Sequence, residues 1–161
     1  MKNYPLIFLF FFIFNFVAAE NNNPIFKELL SAIKNKKEYE LVKEKKIGDL
    51  KKLLSGELSL TQEYEINSKL YKEYRKFKLD SAVYFIKKNH RTALILKDNY
   101  LEDLAKLQLA NLYSSSGRYR ESEETLKAIN INKLAKTLYP DYYEVYSPIF
   151  VYYATNIYNP E

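Results

Sequence analysis

Glycine and proline interrupt regular backbone, and this chain of 161 residues holds only three of the first and five of the second. Pro5 lies near the amino terminus, which leaves long stretches with no residue that breaks a helix. Through most of the chain apolar residues recur at spacings of three and four, and no segment alternates apolar with polar residues between turn dipeptides. The chain is therefore expected to be all-α. Zero cysteines exclude disulfides and thiolate-ligated metals, so the fold must rest on its apolar core.

The first residues have the three-part layout of a secretory signal. Lys2 supplies a short positive region, Leu6 to Val17 an apolar run, and Val17 with Ala19 the small-residue pattern of a cleavage site before Glu20. About twelve apolar residues fall short of the roughly twenty that a helix needs to cross a bilayer. A cleaved signal peptide at 1–19 is the expectation, and no later stretch reaches a membrane-spanning length. Its removal takes one Lys and no acid, leaving 24 basic against 20 acidic residues, a net charge of +4. Those charges are mixed along every helix rather than gathered in an arm, which argues against a nucleic-acid partner. The 142 residues that remain are enough for one core.

Six helices are expected. The first runs from about Pro24 to Leu54, with one apolar cluster at Phe26, Leu29, Leu30 and Ile33, another at Ile47, Leu50, Leu53 and Leu54, and a highly charged stretch between. Gly56 stands where a C-terminal cap belongs, and Ser59 with Gln62 forms a capping box that starts the second helix, which carries Tyr64, Leu70, Tyr71 and Tyr74. A third helix opens near Asp80 and Ser81 and carries Ala82, Phe85, Ile86 and Ala93 to Leu96. Asp98-Asn99 is the next turn, a fourth helix spans about Tyr100 to Ser114, and Ser114 to Gly117 turns into a fifth ending near Ile129. Pro140 suits the first turn of a sixth, which Pro148 should kink or interrupt. The domain division expected is 1–19 signal, 20–58 charged helix and 59–161 helical repeats.

From about Asp103 the chain follows the tetratricopeptide pattern of about 34 residues per helical hairpin. Leu109 and Ala110 take the large and small positions, Tyr113 the aromatic one, Gly117 the turn, Tyr119 the next aromatic and Leu126 the large apolar position of the second helix. Lys106 stands where the pattern has Trp, and Ser122 replaces its small alanine. The segment from Glu63 to Asp98 forms an earlier, more divergent unit. The fold expected is a short solenoid of stacked antiparallel hairpins behind a long charged helix. These features, with the signal peptide and the strings Leu70-Tyr71-Lys72-Glu73-Tyr74, Leu79-Asp80-Ser81-Ala82 and Ser115-Ser116-Gly117-Arg118-Tyr119, resemble a Bacteroidota family of exported tetratricopeptide-like regulators that carries a domain of unknown function. The resemblance covers nearly the whole chain after the signal. It implies a sensor outside the cytoplasm, either free in the periplasm or as the periplasmic part of an inner-membrane protein. In that family a transmembrane helix and a cytoplasmic region with a DNA-binding end follow the repeats. It also implies that this chain is truncated, so any membrane attachment would come from sequence after Glu161.

No chemistry stands out. His90, the sole histidine, neighbours Lys87, Lys88 and Arg91 and reads as an exposed surface residue. The adjacent carboxylates Glu102-Asp103 and Glu123-Glu124 should point in different directions and so make no acid/base pair. Phosphate loops, nucleophile elbows and metal motifs are missing. A non-catalytic module without cofactor is expected, binding a protein or peptide. Tyrosine combines contact area with a polar tip, and there are sixteen. The contact residues expected are Tyr142, Tyr143, Tyr146, Tyr152 and Tyr153 on the last helix, with Asn111, Arg118 and Arg120 as polar contributors to a concave groove. Two rival roles stay open: the sensor half of a membrane-anchored transcription regulator, and a structural coiled-coil homodimer built on residues 26–54.

Overall fold

The computed structural model describes residues 24–158. The expected signal peptide and its cleavage point lie outside them. Helix α1 spans Pro24–Leu53, α2 Leu60–Tyr74, α3 Leu79–Leu96, α4 Asn99–Ser115, α5 Tyr119–Lys127 and α6 Tyr139–Tyr158, with one 3-10 turn at Lys136–Leu138. No strand occurs among the described residues, and none of these helices is long and apolar enough to cross a membrane. The all-α expectation holds. The chain divides between residues 46 and 47 into two compact units.

In the first unit, α1 is a charged helix with a Lys36–Glu40 ion pair at 3.7 Å along one side. Phe26, Leu29, Leu30 and Ile33, expected as an apolar cluster, are exposed. Their spacing puts them on one helix face.

The second unit begins with the last turns of α1. Ile47 is buried, Leu50 and Leu54 pack beside it, and Leu53 points outward. The chain leaves α1 through three successive i+3 hydrogen bonds, Leu54 to Lys51, Ser55 to Lys52 and Gly56 to Leu53. Gly56 therefore does not act as the left-handed cap expected of it; the tightened last turn satisfies those carbonyls instead. Ser59 and Gln62 close the capping box: the Ser59 hydroxyl accepts from the Gln62 amide at 3.3 Å, and the Gln62 side chain accepts from the Ser59 amide at 2.9 Å.

Two hairpins follow, α2 on α3 and α4 on α5, and α4 also packs against α3 and α6. Their ends share one device. After α3, the amides of Lys97 and Asp98 donate to the carbonyls of Leu94 and Ala93, with Lys97 at φ 53°. After α4, Gly117 and Arg118 donate to Ser114 and Tyr113, with Gly117 at φ 76°. Both are Schellman closures, which need one left-handed residue. Asp98 then caps α4 by accepting from the Leu101 amide at 3.0 Å.

Helix α4 is buried on two sides. Ala105 and Leu112 belong to a core with Leu70, Tyr74, Phe85 and Ile86, in which the Tyr74 and Phe85 rings stack at 5.7 Å. Leu107 and Ala110 belong to a second core with Leu126, Leu138, Val145 and Ile149. Ala82, Ala105 and Ala110 have no exposed surface, so they set how closely the helices approach. Ser122, in the alanine position, is equally buried, and its hydroxyl donates to the Ala110 carbonyl at 2.7 Å. The extra oxygen is thus satisfied across the α4–α5 contact.

Two further expectations change within the helices. Leu94 and Ile95, placed with the core of α3, are exposed; only Ala93 of that run is buried. Pro148 does not interrupt α6, which continues through it. Buried Val145 and Ile149 on either side of the proline clamp the helix to the second core, and this packing outweighs one lost backbone hydrogen bond.

Candidate functional site

The first helices of the two hairpins, α2 and α4, and the final helix α6 face a common cavity of about 170 Å³. Tyr71, Lys72 and Arg75 come from α2, Leu104, Leu107, Gln108 and Asn111 from α4, and Asp141, Glu144 and Val145 from α6. Each helix contributes a polar pair three residues apart, which is one helical turn and hence one face. Lys72 and Arg75 are basic, Gln108 and Asn111 are amides, and Asp141 and Glu144 are acidic. The pairs sit at equivalent places in the repeat: Gln108 follows Lys72 by 36 residues, and Asp141 follows Gln108 by 33. The charge therefore changes sign along the groove, from basic through neutral to acidic.

Two further groups shape it. Tyr71 is buried, which pushes its phenol pKa up; a hydrogen bond from Arg75 and its positive charge oppose the shift, while Glu144 adds to it. The Gln108 carbonyl oxygen is buried with no hydrogen-bond partner. Asn111 reaches across to α6, donating to Glu144 Oε1 at a long 3.5 Å.

Of the contact residues expected from sequence, Asn111 alone lines this groove. Arg118 is held locally, its guanidinium 2.8 Å from Glu121 and 4.4 Å from the centre of the Tyr113 ring. Arg120 pairs with Glu124 at 3.2 Å on an exposed face of α5. Tyr142, Tyr146 and Tyr153 line a second cavity of about 200 Å³ between α5 and α6, floored by Leu126, Ile129 and Ile149. At its end the Tyr153 hydroxyl donates to Glu123 at 2.8 Å, and Lys127 lies 2.6 Å from the same carboxylate. These two contacts, Lys127 first, hold the Glu123 carboxyl below its ordinary pKa. Tyr142, Tyr146 and Phe150 stack in a row along α6 at 6.2 and 6.3 Å. Tyr152 stacks on Tyr119 at 4.2 Å, and Tyr143 stands edge-on to Tyr139 and Tyr142. Lys72, Arg75, Gln108, Asp141 and Glu144 escaped the sequence reading. Their repeat-equivalent spacing was the signal that could have found them.

The titratable residues elsewhere also differ from expectation. His90 is half-buried, its Nε2 shielded from solvent and 3.9 Å from Glu102. Burial lowers its pKa, Lys106 adds to that and Glu102 opposes it. Glu102 and Asp103 converge rather than diverge, because Lys106, one turn further on, draws both carboxylates to its ammonium. Among the described residues no group of three or more His, Cys, Asp or Glu could hold a metal ion.

A family model described as the SusR N-terminal TPR domain matches residues 33–161. No curated protein and no solved structure matches the chain.

Proposed function

The chain belongs to the SusR N-terminal TPR domain family, and on that premise we propose that it is a non-catalytic sensory or scaffold domain that binds a protein or peptide outside the cytoplasm. One observation carries the reading: the first helices of the two hairpins and the final helix align polar pairs along a single groove. Stacked hairpins offer an extended surface of this kind to a partner chain. A photo-crosslinking residue placed at Asn111, with Arg120 as the control position, tests it in the source cell. A protein adduct at position 111 and none at 120 supports the groove. Adducts at both positions, or at neither, argue against it. Placement outside the cytoplasm rests on the signal-like residues 1–19. Fusion of residues 1–161 to a reporter that is active only after export should give activity, and deletion of residues 2–19 should abolish it.

The rival in which this domain is the sensor half of a membrane-anchored transcription regulator draws support from the family description, which places the domain at the N-terminus of SusR. The reading frame after Glu161 in the source DNA tests it; a transmembrane span followed by a basic helical tail is the supporting result. The homodimer reading draws support from the exposed Phe26, Leu29, Leu30 and Ile33 on α1. If it holds, the solution mass of the chain halves when residues 24–46 are removed.

A further inference from the structure

We propose that the groove of α2, α4 and α6 takes a peptide segment of mixed charge, with an acidic side chain against Lys72 and Arg75 and a basic one against Asp141 and Glu144. The proposal rests on the peptide-binding reading above and specifies the chemistry of the bound chain.

Each wall carries two like charges three residues apart on one helix. Such pairs repel and cost their helix a few tenths of a kcal/mol. Among the described residues the ion pairs of this unit lie elsewhere, among them Lys88 with Glu63, Lys106 with Glu102, Arg118 with Glu121, Arg120 with Glu124 and Lys127 with Glu123. Arg75 also bonds the Tyr71 phenol and Glu144 accepts from Asn111, but these neutral partners leave the wall charges uncompensated, and the opposite sign of the two walls selects against a segment of a single charge. A uniformly acidic segment would meet Asp141 and Glu144, and a uniformly basic one Lys72 and Arg75. Between the walls the α4 amides suit a peptide backbone. The Gln108 oxygen is buried without a partner, and because the residue lines the cavity, a turn of its amide toward the groove lets it accept a backbone N–H, from which an unpaired buried acceptor gains most. Asn111 is held only by its 3.5 Å contact to Glu144, which a stronger partner can replace.

The test uses the whole chain and four blocked twelve-residue peptides on a Gly-Ser background: one with Asp in its first half and Lys in its second, one with Asp only, one with Lys only and one neutral. Binding is measured by calorimetry at low salt, and occupancy of the groove by NMR shifts of the Gln108 and Asn111 side-chain amides. The mixed peptide should bind at least tenfold more tightly than the other three and shift both amides. In the double variant Lys72→Glu, Arg75→Glu, the mixed peptide should lose at least tenfold and the Lys-only peptide should become the best binder. Both substituted side chains are exposed, so the fold is retained, and circular dichroism verifies this. Equal binding of all four peptides with shifts at Gln108 and Asn111 overturns the charge assignment and leaves the peptide-binding reading standing. No shift at either amide with any peptide overturns the proposal and counts against that reading as well.

Discussion

Two turns close with the same hydrogen bonds but different residues at the left-handed position, and this makes them a matched pair for measurement. Gly117→Ala should lower stability by about 1 kcal/mol, because a Cβ is disfavoured at φ 76° although nothing in the fold would touch it. Lys97 already bears that strain at φ 53°, so Lys97→Gly should raise stability by up to about 1 kcal/mol. Urea unfolding of the two variants checks both signs. Tyr64 offers a third residue-level test. Its hydroxyl donates to the Leu101 carbonyl at 3.4 Å, and burial, then Asp98 and Tyr100, push its pKa to about 12. The unfolded chain releases that proton near the ordinary tyrosine value of 10.0. Stability linked to Tyr64 is thus fully present below pH 10 and is lost as pH rises toward 12. Tyr64→Phe should therefore show a shallower loss of stability than the parent between pH 9 and 12, by about 2 kcal/mol at most. Parallel loss in both proteins would rule this out.

At the scale of helices, the close approach of α4 and α5 depends on Ala110 and Ser122, both without exposed surface. Ala110→Leu should cost about 3 kcal/mol by forcing these helices apart, whereas Ser122→Ala, which restores the repeat pattern's own residue, should stay within about 1 kcal/mol of the parent. Thermal unfolding of the two variants would reveal the contrast, and equal effects would mean that the contact is not tightly packed. The small position was legible from the repeat spacing. That α6 would run through Pro148 was not, because continuity there depends on the packing of Val145 and Ile149 against α4 and α5, which have no signature in the local sequence.

Across the molecule, the compact unit begins at Ile47 inside α1. A chain starting at residue 47 should therefore keep the cooperative unfolding of the repeats, whereas one starting at residue 59 should lose several kcal/mol, since it forfeits Ile47, Leu50 and Leu54 from the first core. Equal midpoints for the two truncations would refute that placement. The helical content, the order of the helices, the capping box at Ser59 and the left-handed turn at Gly117 were determined by the sequence alone, since each depends on residues within a turn or two of one another. The groove was not. Arg118 and Arg120 were plausible contributors by type, but carboxylates three and four residues along their own helix pair with them before any distant group can. Lys72, Gln108 and Asp141 lie 36 and 33 residues apart and share a cavity only because the hairpins stack and turn their first helices to the same side. Which polar side chains converge is set by the relative placement of whole helices, and that placement follows from how Ala82, Ala105 and Ala110 let the helices approach, a property of the packed core that no local stretch of sequence contains.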